Sequence, residues 1–225
     1  MKIGMILDAI YPSDARVTNE CEELIKNGHE VYLFCLSYQK NYIKSEIIND
    51  IKVRRYYCSL LTYKLSALAN DFPLYSILMK SKIKDFVLNN KIDRMHIHDI
   101  QIAKAAVGVS NKYKLKYTLD LHENRHEIMK SYKHVNSFLG KLLISIKRWK
   151  KAEEEYISKA EKVIVVTHQA KKEIIKRCKI SNDNVIVYPN TVRKSFYQNK
   201  KYDEKLKKKY AKNYVLLYIG NTSKR

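Results

Sequence analysis

Short apolar runs alternate with amphipathic helical patterns along almost the whole chain, and this alternation restricts its fold more than any other feature. The first two runs, KIGMIL and EVYLFCL, flank the helical pattern DARVTNECEELIKNG, for which Ser13 or Asp14 is the expected cap and Gly28 the stop. Strands separated by helices are typical of βαβ units, in which parallel strands form one sheet covered by helices. The sequence therefore predicts an α/β fold with a doubly wound, mostly parallel sheet.

The later segments continue the same pattern. Further strands are expected at IKVRRYY, DRMHIHD, LKYTLDLH, KVIVVT and NVIVYPNTV. Helices are expected at IQIAKAAVGVSNK, at HQAKKEIIKRC and over residues 60–90, the last with a break near Pro73, because proline cannot continue a helix interior.

Residues 137–159 carry the longest helical pattern. Its apolar positions are spaced for one stripe, consisting of Leu139, Leu142, Leu143, Ile146 and Trp149, and several lysines surround it. Packing of this stripe against the sheet is the first expectation. An anionic membrane surface bound through residues 138–151 is the second, favoured by Trp149 and the lysines. Binding to nucleic acid is the third.

The chain divides by composition into three parts. Residues 1–198 are expected to form the α/β domain, and residues 199–213 a basic linker. Residues 214–225 begin with a new apolar run, YVLLYIG, which we expect to be the first strand of a second domain that the chain does not contain.

The chain is strongly basic, with 44 Lys and Arg against 23 Asp and Glu and a formal charge of +21. Such a charge attracts phosphates, nucleotides, anionic lipid and nucleic acid without choosing among them. The lysines come with abundant Ile, Asn and Tyr, so compositional bias explains the charge equally well.

Cysteine spacing and hydropathy indicate the compartment. The four cysteines are scattered without a C-x-x-C pair, which predicts neither a disulfide framework nor a thiolate zinc site. The N-terminal apolar run is interrupted by Asp8, and no stretch approaches the roughly 20 apolar residues of a membrane helix. A cytoplasmic protein is expected, with peripheral attachment at the inner face of the membrane as a further expectation.

The loop after the first strand lies where open parallel sheets bind their ligands. It lacks the G-x-G-x-x-G pattern, which argues against a nicotinamide or flavin domain. Asp8 is therefore a candidate for holding a polar substrate. So are Ser13, Asp14 and Arg16. They are equally well explained as a turn and helix cap, with Arg16 paired to Glu20 four residues later.

Histidines follow two later strands. HENRH, from His122 to His126, has the spacing of a zinc metalloprotease helix, with Glu123 as the general base. The motif comes directly after a strand, however, and Arg125 would oppose a bound cation. In MHIHD, His96 and His98 share one side of a strand and Asp99 ends it. We expect His122 to lie beside His98 across one crevice, with no zinc between them.

Six segments then form a series: YPSDARVTNECEELIKNGHEV, HIHD, DLHEN, AEKVIVVTHQAKKEI, VIVYPN and VLLYIGNTSKR. In this order they resemble the N-terminal, acceptor-side domain of family 4 glycosyltransferases, which have the GT-B fold of two Rossmann-like domains. The resemblance implies a hexosyltransferase that moves a sugar, with retention, from a nucleotide sugar to a glycan or lipid-linked acceptor in bacterial-type surface polysaccharide synthesis. It implies no metal, no cofactor besides the nucleotide-sugar donor, and no specific nucleic-acid partner.

The resemblance also assigns residues by position. His122 matches the histidine that approaches the transferred sugar and is the expected catalytic residue. The residues expected to bind acceptor or substrate are Ser13, Asp14, Arg16, His98, Asp99 and Glu123. Those expected to bind the donor are Gly220, Lys224 and Arg225. Gly220 matches the glycine that opens the donor loop, and Lys224 or Arg225 matches a cation that faces the donor diphosphate. The nucleotide pocket of the family does not follow Arg225, so we expect this chain alone not to catalyse transfer.

Three other functions remain open on the sequence. The chain would serve as a non-catalytic basic module for a membrane or nucleic acid, as a zinc metalloprotease through HENRH, or as a sugar-nucleotide epimerase of the same fold.

Overall fold

The computed structural model describes residues 1–191 and 203–219, and in it eight strands form one sheet. The strand order is β3-β4-β2-β1-β5-β6-β7-β8, and every pair is parallel except β3 with β4. The strands are β1 (Lys2–Ile6), β2 (Glu30–Ser37), β3 (Ser45–Ile48), β4 (Ile51–Tyr57), β5 (Arg94–His98), β6 (Lys116–Leu121), β7 (Lys162–Val165) and β8 (Val185–Val187). The predicted doubly wound, mostly parallel sheet is confirmed.

The strand order reverses direction at β1. From β1 the chain builds the sheet outward through β2 and β4, and it then returns to place β5 on the other side of β1. Loops leaving the carboxyl ends of the strands on either side of such a reversal separate, and they leave a crevice in which ligands of these folds bind. The crevice here lies above the carboxyl ends of β1, β5 and β6.

Helices cover both faces of the sheet. They are α1 (Ala15–Lys26), α2 (Leu60–Lys64), α3 (Leu74–Asn90), α4 (Ile100–Tyr113), α5 (Arg125–Ile128), α6 (Lys133–Asn136), α7 (Phe138–Leu143), α8 (Ile146–Lys159) and α9 (His168–Cys178). One further helix, α10 (Glu204–Lys209), comes later in the chain. Asp14 is the N-cap of α1 and accepts hydrogen bonds from the amides of Arg16 and Val17. Gly28, at φ 79°, follows the C-cap Asn27, so both expected ends of this helix are confirmed.

Two apolar clusters fill the space between the sheet and the helices. The larger one lies under α3, α4 and α8, and it includes Phe34, Phe86, Met79, Ile97 and Trp149. The smaller one joins α1 to the other face of β1, β2 and β4, and it includes Met5, Val17, Cys21, Leu33 and Val53. This second cluster fixes α1, and with it Arg16 and Glu20, against the sheet.

The strand β3 was not predicted. It pairs antiparallel with β4 through a two-residue turn in which Asn49 and Asp50 both have positive φ, 48° and 64°. This is the backbone shape of a tight hairpin turn, which asparagine and aspartate tolerate. Asn49-Asp50 was therefore a hairpin signal in the sequence.

The prediction of one helix over residues 137–159 was wrong. The pattern divides at Ile144 and Ser145, which both have extended backbone, into α7 and α8. The cause is Asp71, whose carboxylate accepts from the Ser145 amide (3.0 Å), the Trp149 Nε1–H (2.9 Å) and Arg148 Nε (2.8 Å). Ser145 in turn caps α8 by accepting from the Arg148 amide.

The expected apolar stripe divides in the same way. Trp149 is buried, so it lies in the core and not at an interface. Phe138, Leu139 and Leu142 on α7 are exposed by 86%, 64% and 71%. Core packing is therefore correct for α8 and wrong for α7.

Residues 1–189 form one compact unit and residues 190–225 a second. In the described part of the second unit, α10 follows its N-cap Asp203, and residues 214–219 have neither helix nor strand. A strand needs a neighbour to pair with, so the predicted second domain stays a prediction. Among the helices in residues 1–191 and 203–219, none combines the length and apolarity that a membrane span requires.

Candidate active site

A group of charged and imidazole side chains lies in the crevice at the carboxyl ends of β5 and β6. The register of these strands places His98 opposite Asp120, and His122 follows β6. The first turn of α1 brings Arg16 to the same place from the other side of the crevice. Residues from three distant parts of the chain therefore meet at one point.

Asp120 is the centre of this group and is fully buried. Its Oδ2 accepts from His122 Nε2 (2.8 Å), His98 Nδ1 (3.2 Å) and Arg16 Nε (2.9 Å), and its Oδ1 accepts from Arg16 Nη2 (2.6 Å). Burial opposes the charge of this carboxylate, but the hydrogen bonds from His122, His98 and Arg16 hold its pKa far below the usual range. Asp120 is therefore a permanent anion.

His122 is the partner of Asp120 that reaches the crevice, and its side chain is 16% exposed. Burial disfavours a charged imidazole, but the hydrogen bond to Asp120 and the charges of Asp99, Asp120 and Asp14 together raise the pKa of His122 to about 9. Its Nδ1 faces the crevice, 3.6 Å from Asp99 Oδ2 and 3.8 Å from Asp14 Oδ2. At neutral pH His122 is thus an imidazolium with one N–H held by the protein and the other directed to the crevice.

His98 is its neutral neighbour. His98 Nδ1 lies 3.2 Å from His122 Nε2, as expected from the sequence, and the two rings meet edge to face. Burial is the main reason that the pKa of His98 is lowered, so this ring donates to Asp120 without carrying charge. His96 stacks on His98 with ring centroids 4.7 Å apart, and its Nε2 lies 3.2 Å from Glu20 Oε2. His96 and His98 are both buried, so of the strand-end residues Asp99 reaches the crevice.

Asp99 holds the backbone beside His122. It has φ 64° and ψ 161°, a conformation that residues with a Cβ rarely adopt. Its carboxylate accepts from the His122 amide (3.2 Å), and its own amide donates to the Asp120 carbonyl (2.9 Å). Strain of this kind persists only where neighbouring contacts fix the residue, and here those contacts hold the ends of β5 and β6 together.

Arg16 balances the charge of the group. It pairs with Asp120, with Glu20 (Nε to Oε1, 3.2 Å) and with the carbonyl of Tyr188 (Nη1, 2.6 Å). Glu20, His96, His98 and Asp120 are residue types that bind metals, and one potential ligand atom of each lies within 4.8 Å of the others. The guanidinium already supplies positive charge between the two carboxylates, so this arrangement favours an ion-pair network over a metal centre.

The two histidines of HENRH do not form a pair. The helix α5 begins only at Arg125, so His122 precedes it and the four-residue spacing does not place the rings on one helix face. His126 is buried instead against Glu153, 3.6 Å from its Nδ1. Glu123 pairs with Arg125 at 2.9 Å. The metalloprotease arrangement is therefore contradicted.

The remaining candidates are placed as follows. Ser13 donates to the Ile10 carbonyl at 2.6 Å and so closes the turn before Asp14. Gly220, Lys224 and Arg225 lie outside the described residues. The roles assigned to all of these residues stay predictions.

Asp8 adds a further acid at the end of β1. Its carboxylate accepts a hydrogen bond from the Tyr75 hydroxyl. Burial raises the pKa of Asp8 to about 7. The hydrogen bond from Tyr75 opposes this rise, and the charge of Asp99 adds to it. Asp8 thus changes charge near neutral pH, close to the acids that surround His122.

Sequence reasoning missed Asp120, whose carboxylate is the centre of the group. The signal was its position in LKYTLDLH, where a charged side chain interrupts a buried strand. Aspartate is almost never fully buried unless it is paired, so a partner from elsewhere in the chain was implied. Which residue supplied that partner could not be read from β6 itself.

Comparisons with known proteins agree with this architecture. Glycosyltransferase Family 4 matches residues 15–196. Sucrose-phosphate synthase from Thermosynechococcus elongatus is similar in structure, with a TM-score of 0.64 and 14% identity over 86% of this chain and 49% of that one. A trehalose-6-phosphate protein from E. coli bound with UDP-2-fluoro glucose has a TM-score of 0.62 and 12% identity over 94% of this chain and 54% of that one.

A third similar structure is the lipopolysaccharide outer core galactosyltransferase WaaB, with a TM-score of 0.51 and 18% identity over 85% of this chain and 46% of that one. At these identities the likeness is one of fold. The chain spans about half the length of each of the three proteins. A sequence search among curated proteins gave no match.

Proposed function

The chain belongs to glycosyltransferase family 4, and from this membership we propose that it forms the acceptor-side half of a retaining hexosyltransferase. The donor is a nucleotide sugar, and the acceptor is a glycan or a lipid-linked glycan of bacterial-type surface polysaccharide synthesis. The family match and the GT-B neighbours support glycosyl transfer, and the coverage of about half of each neighbour supports the assignment to one half of the enzyme.

The observation that carries the proposal is the charged His122 beside the crevice. In the proposed reaction, the bond from the anomeric carbon to the diphosphate breaks and a bond to the acceptor oxygen forms on the same face. The hydroxyl proton of the acceptor passes to the departing phosphate oxygen. His122 donates a hydrogen bond from its Nδ1–H to the transferred sugar and keeps its proton. Its positive charge stabilises the negative charge that grows on the leaving group. No metal or other cofactor takes part in this proposal.

Three residues of the group act through His122, whereas Asp99 and Asp14 would contact the acceptor itself. Asp120 holds Nε2 of the ring, and Arg16 and His98 hold Asp120. Asp99 and Asp14 lie where they would accept hydrogen bonds from acceptor hydroxyls, since both carboxylates are partly exposed next to His122 Nδ1. Arg16 is thus a positioning residue in the proposal, because its guanidinium is engaged by Asp120, Glu20 and the Tyr188 carbonyl.

The proposal is tested with the protein at its natural length, purified from its source. It is incubated with radiolabelled UDP-glucose, UDP-galactose and UDP-N-acetylglucosamine and with a glycolipid extract of the same cells as acceptor. Label is expected in the glycolipid, and His122→Ala is expected to lower the rate by at least about 100-fold, as loss of one preorganised donor does. The chain of residues 1–225 alone is expected to give no turnover.

His134→Ala is the matched control, because His134 is an exposed histidine on α6. It should transfer sugar at the rate of the unchanged protein. Conversion of UDP-N-acetylglucosamine to an epimer without any acceptor would instead indicate an epimerase. Full activity of His122→Ala would contradict the role given to this residue.

We also propose that the protein is cytoplasmic and binds the inner, anionic surface of the membrane through α7. Phe138, Leu139 and Leu142 expose apolar side chains there, and nearby exposed lysines include Lys133, Lys141, Lys147, Lys150 and Lys151. Exposed apolar groups beside several cations fit an anionic bilayer better than they fit nucleic acid, which offers no hydrocarbon layer.

Vesicle binding tests this second proposal. The chain should sediment with vesicles of phosphatidylcholine and phosphatidylserine, less with phosphatidylcholine alone, and less as salt is added. Phe138→Ser with Leu142→Ser should weaken binding about tenfold or more, whereas Ile47→Ser, at an exposed position on β3, should not. Equal binding by both variants would exclude α7 as the contact.

A further inference from the structure

A second polar concavity lies at the carboxyl edge of the sheet, on the side of β1 away from His122. Its volume is about 520 Å³, which is within the range of ligand sites. It lies where β2, β3 and β4 meet, and we call it the outer pocket. Its polar lining consists of Ser37, Gln39, Asn41, Tyr42, Glu46 and Arg55.

The loop that forms the outer pocket is held in place by the sheet. The Tyr57 amide at the end of β4 donates to the Tyr42 hydroxyl at 3.2 Å, and the Arg55 amide donates to the Lys44 carbonyl at 2.8 Å. Ser37 donates to the Gln39 carbonyl at 3.3 Å. These hydrogen bonds fix Ser37, Tyr42 and the backbone at Lys44, while the Gln39 and Asn41 side chains are exposed at the opening of the pocket.

The lining selects a ligand that is neutral and rich in hydroxyl groups. Gln39 and Asn41 offer amide donors and acceptors, and Ser37 and Tyr42 offer hydroxyls. The charge of Arg55 is paired with Glu46, so the lining carries no net charge that would favour a phosphate or a carboxylate. Uncharged groups that both donate and accept, together with one aromatic ring, are suited to a sugar.

A contact through the backbone joins the outer pocket to the His122 site. Arg55 Nη2 donates to the Tyr11 carbonyl at 3.1 Å, and three residues later Asp14 lies 3.8 Å from His122 Nδ1. Arg55 and Asp120 also project to the face of the sheet that α1 covers. Arg55 lies two residues after Val53, which packs in the cluster under α1, and Asp120 pairs with Arg16 of α1. The loop over residues 11–14 thus connects Arg55, which lines the outer pocket, to Asp14 beside His122.

The spacing of the two sites indicates the size of the ligand. From β2 to β6 there are three strand spacings, which is roughly 14 Å. A single hexose does not span that distance, whereas an oligosaccharide does.

We infer that the outer pocket is a subsite for an uncharged sugar unit of an oligosaccharide acceptor whose reacting end lies at His122. This inference rests on the proposed function and adds to it that the acceptor is longer than one sugar. Gln39 and Asn41 determine acceptor affinity and take no part in the transfer step.

Binding is measured first, on the isotope-labelled chain of residues 1–225 with maltose and N,N′-diacetylchitobiose as probes. The side-chain amide resonances of Gln39 and Asn41 should shift with at least one of the two sugars and saturate. The double variant Gln39→Ala/Asn41→Ala should lose this binding. Asn111→Ala is the matched control, because it removes an exposed amide from α4, which does not line the outer pocket. This variant should bind the sugars as the unchanged protein does.

Transfer is measured second, on the natural-length protein with its glycolipid acceptor. The double variant should raise the acceptor KM roughly tenfold, the loss of two hydrogen bonds, with kcat unchanged. An unchanged acceptor KM in an active enzyme would overturn the inference and leave the proposed function standing. Sugar binding at the outer pocket without any transfer would support the pocket and contradict the function. Shifts caused by inorganic phosphate, or no shift with either sugar, would also overturn the inference.

Discussion

At the scale of single residues, the account depends on Asp120, which joins α1, β5 and the loop after β6 through one carboxylate. A buried carboxylate is tolerated only when its charge is paired and hydrogen-bonded, and here two histidines and an arginine provide those contacts. Asp120 therefore both stabilises the fold and fixes the His122 ring.

Replacing Asp120 should expose this double role. Asp120→Ala leaves Arg16 with Glu20 as its remaining carboxylate, in a site that excludes water, so we expect unfolding free energy to fall by about 3–5 kcal/mol. Urea unfolding of both proteins provides the measurement. Asp183→Ala, at an exposed aspartate, should change stability by less than about 0.5 kcal/mol. Equal losses in the two variants would show that Asp120 is not the centre of the group.

The sequence predicted part of this site and could not predict the rest. Strand alternation placed His98 and His122 at neighbouring strand ends, and they lie 3.2 Å apart. The pairing of Arg16 with Glu20 followed from helical spacing. The bond from Arg16 to Asp120 spans 104 residues, and no local pattern encodes a contact of that kind.

At the scale of elements, α7 shows what local patterns leave out. Its spacing continued that of α8, but Asp71, more than 70 residues earlier, accepts a hydrogen bond from the amide of Ser145, the N-cap of α8, where the two helices separate. The strand β3 was missed for the opposite reason, since its hairpin signal was local but too short to stand out. The other strands and the longer helices followed their apolar periodicity.

The packing of α7 against α6 depends on Gly140. A Cβ on this residue would lie 1.9 Å from the His134 carbonyl oxygen and 2.7 Å from that of Val135, both in backbone that cannot retreat easily. Gly140→Ala should therefore cost about 1–3 kcal/mol and release α7, which hydrogen exchange of residues 138–143 would detect as faster exchange.

Gly108 on α4 provides the matched control. The atoms nearest to a Cβ there belong to the flexible end of the Lys80 side chain, at 3.4 Å. Gly108→Ala should leave exchange in α7 unchanged and stabilise the protein by about 0.5–1 kcal/mol, because alanine loses less backbone freedom in a helix. Unchanged exchange of α7 in Gly140→Ala would contradict the packing described.

At the scale of the whole molecule, His122 has a raised pKa only when the sheet has folded and brought three carboxylates around its ring. The α1 helix, β5 and β6 bring Asp14, Asp99 and Asp120 around one ring. Because the pKa of His122 is raised from 6.5 to about 9, its ion pairs stabilise the folded protein fully below pH 6.5. That contribution is lost as the pH rises from 6.5 through 9, and urea unfolding at pH 7 and pH 9 should show this loss.

The central claim is that folding holds His122 as an imidazolium at the crevice, and the titration of its ring by NMR tests this claim most directly. In the folded chain the His122 resonances are expected to titrate near pH 9, and in urea they should titrate near 6.5. Asp120→Asn should bring the folded value down toward 6.5. A His122 that titrates near 6.5 in the folded, unchanged protein would contradict the account.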